Sequence, residues 1–141
     1  RSALERARGR VRHVPEPRLA LGRRLARQGR VTAAIDLSDG LLADLDHLCE
    51  ASRLGAEVDV AALPRPRGFS AACRRAGVQP ESLLLGGGED YELLFAVRGG
   101  PIRSAAIAGL PVAEIGRLVP AGRQLRGLSG PLPARPGWRH F

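Results

Sequence analysis

Thr32-Ala33-Ala34-Ile35-Asp36-Leu37-Ser38-Asp39-Gly40-Leu41-Leu42 is the stretch on which the fold of this chain turns. A short apolar run, Val31 to Ile35, ends in two carboxylates, a hydroxyl and a glycine. The run is β-branched at both ends and apolar except for Thr32, the pattern of a strand buried on both faces. A helix pattern follows at once. From Leu41 to Ser52, the residues Leu41, Leu42, Leu45, Leu48 and Cys49 share one face. Asp44, Asp46, His47 and Glu50 fall largely on the other side and read as a solvated face, not a metal cluster. A strand that runs into a turn and a helix sets the turn at the carboxyl edge of a sheet, where α/β proteins bind ligands.

The polar residues of that turn carry chemistry. Two carboxylates about 4 Å apart repel by roughly 1 kcal/mol even in water, and a divalent cation beside Asp36 and Asp39 removes the repulsion. Magnesium takes one or two carboxylates and completes its shell with water and phosphate oxygens. Ser38 can donate to a phosphate. Gly40 lets the backbone come close, and the helix N-terminus behind it adds partial positive charge. The competing reading is plain helix capping by Ser38 or Asp39, which leaves Asp36 without a role.

Working outward, Gly86-Gly87-Gly88-Glu89-Asp90-Tyr91-Glu92-Leu93-Leu94-Phe95 reads as the partner of the first stretch. Three consecutive glycines cost backbone entropy. They allow either close approach to a ligand or a turn with positive φ, and a tight solvated turn remains the alternative. Glu89 and Asp90 stand where this loop meets a strand running from Tyr91 to Val97.

The remaining segments alternate strand and helix. Arg1 to Arg12 is basic and helix-compatible, and His13 to Arg18 is extended, because each proline biases its predecessor away from helix. Leu19 to Gln28 reads as a helix with Leu19, Leu21 and Leu25 near one face, stopped at Gly29. Gly55 is expected to end the helix that begins at Leu41. Ala56 to Val60 alternates as a half-exposed strand. Phe69 to Ala76 is a short helix ending at Gly77, and Pro80 to Leu85 another, with Pro80 in its first turn. Ile102 to Ala108 is expected to be helical and Val112 to Leu118 a strand. From Pro120 onward the chain is rich in Gly, Pro and Arg and is expected to form a tail ending in Gly137-Trp138-Arg139-His140-Phe141. Trp138 serves either to clamp that tail to the core or as a platform for a flat ring. The class this implies is α+β (α/β-like), a layered mixed β-sheet with helices packed on it.

Composition bounds the rest. With 141 residues and 44% apolar content, one domain with a real core is expected. The net charge is +8 and carried by arginine, with no lysine. Arginine suits bidentate phosphate contacts, but nucleotide bias in the genome explains the excess as well. The basic stretches carry almost no aromatic residues for base stacking, which argues against nucleic acid. Cys49 and Cys73 form no metal-type pair and read as buried reduced thiols, which favours a cytoplasmic protein. No apolar run approaches the roughly 18 residues of a membrane span, and no signal peptide is visible. The chain contains no methionine, so a piece of a longer protein is expected.

Taken together, A-A-I-D-L-S-D-G-L-L-A-D-L (Ala33 to Leu45), G-G-E-D-Y-E-L-L-F (Gly87 to Phe95) and the terminal G-W-R-H-F resemble the carboxyl-terminal domain of the thiamine-monophosphate kinase family. The stretch from Ala51 to Pro64 and the leading P-E-P-R, Pro15 to Arg18, also fit. The wider superfamily includes aminoimidazole ribonucleotide synthetase, and G-G-E-D-Y-E-L points to the thiamine enzymes within it. The resemblance implies an aminoimidazole ribonucleotide synthetase C-terminal-domain-like fold. It also implies direct, magnesium-assisted transfer of the ATP γ-phosphate to thiamine monophosphate. By position, it implies Asp36 and Asp39 as magnesium ligands and Ser38 and Gly40 as ATP contacts. Gly86, Gly87, Gly88, Glu89, Asp90, Tyr91 and Trp138 are implied as substrate contacts. Residues 1–30 would lead from an amino-terminal ATP-binding domain that is absent here, and 31–141 would form the carboxyl-terminal domain. The full enzyme would be a homodimer, with no nucleic-acid or membrane partner, and this part alone would be inactive or nearly so. Arg139, where an acidic residue is more usual, and the third glycine, Gly86, depart from the family pattern. A sister enzyme of the superfamily and a non-catalytic basic binding module are the rival expectations.

Overall fold

The computed structural model describes residues 15–100, 102 and 106–128. The expected basic helix of residues 1–12, and Trp138 with the rest of the terminal motif, lie outside the described residues. Helix α1 (Leu19–Arg27) leads into strand β1 (Val31–Asp36), helix α2 (Leu41–Ser52) and strand β2 (Gly55–Asp59). A 3-10 turn (Val60–Ala62), α3 (Phe69–Ala76) and α4 (Pro80–Gly86) follow, and then β3 (Leu93–Val97). Four short strands complete the described part: β4 (Ala106–Ile107), β5 (Leu110–Pro111), β6 (Gly116–Val119) and β7 (Arg123–Arg126). Helices with mixed sheets make this an α+β fold, as expected.

Two hydrophobic clusters organise the chain. The larger joins Leu41, Leu42 and Leu45 of α2 to Ala56 and Val58 of β2, Val60, Leu63, and Leu85 of α4. Alternation places Ala56 and Val58 on the buried side of β2 and Asp59 outside. Leu42 and Leu85 are 1% and 0% exposed, and each contributes about 1.5–3 kcal/mol of transfer free energy. The smaller cluster holds Leu21 and Leu25 of α1 and Ile107 against Val31, Leu93 and Phe95. Leu19, expected near that face, is 65% exposed: two residues before Leu21, it lies about 200° around the helix from it.

β2 is the centre of a three-stranded mixed sheet in the order β6-β2-β7, antiparallel to β6 and parallel to β7. Glu57 of β2 faces Arg117 of β6 across the register and bonds both Arg117 and Arg126, a cross-strand charge match. Gly55, expected to close α2, instead opens β2; the helix stops on left-handed Arg53. A Cβ at Gly55 would lie 1.9 Å from the Gly122 carbonyl oxygen, so only glycine admits the chain entering β7.

β1 pairs antiparallel with β3, and among the described residues these two form a sheet of their own. β1 is therefore not buried on both faces. Val31, Ala33 and Ile35 are half-buried, while Thr32, Ala34 and Asp36 are exposed. β3 starts at Leu93 and not at Tyr91. The helix expected over Ile102 to Ala108 is replaced, where described, by the β4–β5 hairpin. Its two turn residues, Ala108 and Gly109, both have positive φ, 53° and 78°, the conformation that matches strand twist in tight hairpins. The strand expected from Val112 begins only at Gly116, and β7 falls in the segment expected to form a Gly-, Pro- and Arg-rich tail. Among the described residues no helix is long and apolar enough to cross a membrane.

Candidate functional site

The pairing of β1 with β3 brings the two chemistry-bearing stretches together. Asp36, the last residue of β1, stands in register with Leu93, the first of β3. The turn after β1 and the loop before β3 therefore leave the sheet at the same end. Main-chain bonds continue the pairing beyond the strands. Leu37 N–H donates to the Glu92 carbonyl at 2.8 Å, Tyr91 N–H to the Leu37 carbonyl at 2.8 Å, and Glu89 N–H to the Ser38 carbonyl at 2.8 Å.

Gly40 is the point of closest approach. It is buried, with φ of +114°. A Cβ there would lie 3.1 Å from the Gly86 carbonyl carbon and 3.1 Å from the Gly87 oxygen. What the missing side chain admits is thus the second loop. Gly87 packs still more tightly, on its own helix: its N–H bonds the Leu83 carbonyl at 2.9 Å, and a Cβ would fall 2.5 Å from that oxygen. None of Gly86, Gly87 and Gly88 has positive φ; the left-handed residues are Glu89 and Tyr91, at 67° and 51°. Non-glycine residues held there cost about 1–2 kcal/mol each.

The turn is not capped by Ser38 or Asp39. Gly40 is the N-cap of α2 and makes no side-chain cap bond. Instead Asp44, on the first turn of the helix, reaches back. Its Oδ2 accepts from the N–H groups of Ser38, Asp39 and Gly40 at 2.9, 3.1 and 3.1 Å. Asp44 is 2% exposed, so the solvated face expected for it is wrong. Helical spacing carried the signal. Asp44 lies three residues after Leu41 and four before Leu48, both buried, and so falls on the apolar side. The three amides are satisfied by this carboxylate, and its charge offsets the helix N-terminal charge that a phosphate would have used.

Asp36 is exposed and Asp39 half-buried, with the Ser38 hydroxyl 3.4 Å from Asp39 Oδ1. Asp36 and Asp39 offer hard oxygen donors on an ordered turn. Among the described residues no cluster of three or more His, Cys, Asp or Glu forms a metal cage. Two carboxylates suit a cation that fills most of its shell from water or phosphate, which is the habit of magnesium. On the facing loop, burial first and the charge of Glu92 second push the Asp90 carboxyl above its ordinary range.

Arg18 ties the leading segment to the same loop, its guanidinium bidentate to Glu92 with Nε to Oε2 at 2.9 Å. Sequence reasoning gave this pair no role, because the residues are far apart in the chain and meet only through tertiary structure. Cys49 and Cys73 are unpaired thiols, half-buried and buried. Burial, and then Asp46, push the Cys49 thiol up, away from the reactive thiolate.

The family profile described as AIR synthase related protein, C-terminal domain, matches residues 3–125. The thiamine-monophosphate kinase of Escherichia coli (strain K12) is 44% identical over 115 residues, which are 76% of this chain and 33% of that protein. The corresponding protein of Salmonella typhimurium is 38% identical over 137 residues, covering 92% of this chain and 40% of its own length. Among solved structures, AaThiL complexed with AMPPCP and TMP superposes with a TM-score of 0.68 at 29% identity, over 98% of this chain and 46% of that one. The chain thus spans between a third and a half of these relatives' length.

Proposed function

Because this chain belongs to the AIR synthase related protein, C-terminal domain family, we propose that it is the carboxyl-terminal part of an ATP-dependent thiamine-phosphate kinase. The reaction forms thiamine diphosphate. An oxygen of the phosphate on thiamine monophosphate bonds to the γ-phosphorus of ATP, the bond to the β–γ bridging oxygen breaks, and ADP leaves. The observation that carries this reading is the contact of the two loops at Gly40 and Gly86–Gly87. It stands in a chain whose structural relative was solved with AMPPCP and TMP.

In this reading Asp36 and Asp39 hold magnesium, which supplies charge neutralisation on the transferring phosphoryl group. Ser38 donates to the polyphosphate. Gly40, whose N–H is already given to Asp44, serves by admitting the loop of Gly86, Gly87 and Gly88. That loop with Glu89, Asp90 and Tyr91 borders thiamine phosphate, and Trp138 is assigned to its rings. Positioning and electrostatics supply the catalysis, with no covalent intermediate on the protein. An upstream domain, absent from this chain, completes the ATP site. The whole enzyme works as a cytoplasmic homodimer, and this part alone is inactive.

The test is phosphoryl transfer from ATP to thiamine phosphate by the chain joined to its upstream half, with magnesium. Product forms in the wild type, and Asp39→Asn lowers kcat by about 100-fold or more. Transfer untouched by Asp39→Asn would reject the metal role, and no transfer from folded protein would reject the activity.

A further inference from the structure

The turn that bears Asp36, Ser38 and Asp39 is shaped by a residue that is itself out of a ligand's reach. Asp44 is buried, and one of its oxygens takes three consecutive main-chain N–H groups, those of Ser38, Asp39 and Gly40. Two consequences follow. The amides that a strand–turn–helix junction ordinarily offers to a phosphate are spent inside the protein. Three donors converging on one oxygen also pin three successive peptide planes. Asp36 is fixed independently, by the β1–β3 register at Leu93. The Asp44 carboxylate therefore sets where Ser38 and Asp39 stand relative to Asp36.

Resting on the reading of this turn as a cation and nucleotide site, we propose that Asp44 is its positioning residue. Asp44 keeps the turn's amides from phosphate and orders the turn that carries Asp39, beside Asp36, before a divalent cation arrives. Contact between this turn and a polyphosphate then runs through the cation and the Ser38 hydroxyl, not through the main chain. Partners of this kind, one shell removed from the metal, matter because an unsupported carboxylate must be ordered at the cost of binding.

The experiment uses the full-length protein and Asp44→Asn, nearly isosteric but carrying an NH2 group where an acceptor oxygen stood. The magnesium concentration for half-maximal transfer rises by about 10- to 100-fold, while the KM for thiamine phosphate stays at its wild-type value. A titration with Mn2+ alone, followed by electron paramagnetic resonance without nucleotide, weakens by a similar factor. Amide exchange at residues 38–40 quickens in the metal-free protein. A residue needed only for folding would lower Tm and leave the magnesium dependence unchanged at temperatures well below it. That outcome overturns the proposal while leaving the kinase reading intact. Were the wild type to transfer no phosphate, the kinase reading would fail and the Mn2+ titration would decide alone: weaker binding by the variant upholds the role of Asp44, and equal binding, or none by the wild type, overturns it. If Asp44→Asn does not fold, Asp44→Glu, which keeps the charge and shifts the oxygens by one methylene, is read the same way.

Discussion

The turn at residues 37–40 and the loop at residues 86–92 face each other at one end of the β1–β3 sheet, yet they are held in different ways. The turn is held from within: Asp44, a few residues downstream, bonds its amides, and Gly40 takes a φ of +114°. The loop is anchored at its start by Gly87 N–H on the Leu83 carbonyl, and from Glu89 onward it is held from without. Glu89 N–H and Tyr91 N–H donate to the turn's carbonyls, and Glu92 is gripped by Arg18. Two of its non-glycine residues sit in the left-handed region. A locally wired element keeps its shape when its neighbours move, whereas an element wired by long-range contacts holds strain only while those contacts last. One side of the candidate site is thus preordered, and the other depends on the assembled fold.

Substitutions can break or sharpen that contrast. The largest effect is expected for Gly40→Ala, which strains the turn at positive φ and drives a methyl into the Gly86–Gly87 backbone. A loss of roughly 2–4 kcal/mol is expected, read as a shift of the denaturant midpoint. A loss near zero would mean that the loop yields freely and the contact is slack. Next comes Glu89→Gly, which removes left-handed strain but adds backbone entropy to the unfolded chain. A net stabilisation of about 0.5 kcal/mol is expected, and clear destabilisation would show that the loop carries no strain at this residue.

The smallest effect concerns pH. The Asp90 carboxyl is raised in the folded state by burial and then by Glu92. The folded state therefore favours its protonated form, a contribution present below the ordinary carboxylate range and lost as pH rises through the raised value. Asp90→Asn is expected to match the wild type below about pH 4 and to be slightly more stable at neutral pH. The gain is kept small because the residue, though partly desolvated, still reaches solvent. Urea melts at the two pH values test it, and a variant less stable at neutral pH would reverse the sign.

The residues of both loops stood out in the sequence because they interrupt strong patterns. A carboxylate pair at the end of an apolar run and a triple glycine before another run are visible without any structure. The role of Asp44 was present as periodicity but was outweighed by the polar residues around it. β1 misled because an apolar run has the same pattern whether one face or both are covered. The β4–β5 hairpin and β7 carry too few residues for a period to show, and they form only because partners are in place.

The sequence by itself determined the helices that begin at Leu41, Phe69 and Pro80, the strands that flank the site, and the identity of the two loops. These follow from side-chain spacing and from proline and glycine, which act over a few residues. Tertiary structure alone decided that the loops touch, that Asp44 turns inward to bind the turn, that Arg18 grips Glu92, and that β7 joins β2 in parallel. Each of these joins a residue to a surface created elsewhere in the chain, and local sequence preferences cannot encode a partner that exists only once the core has closed.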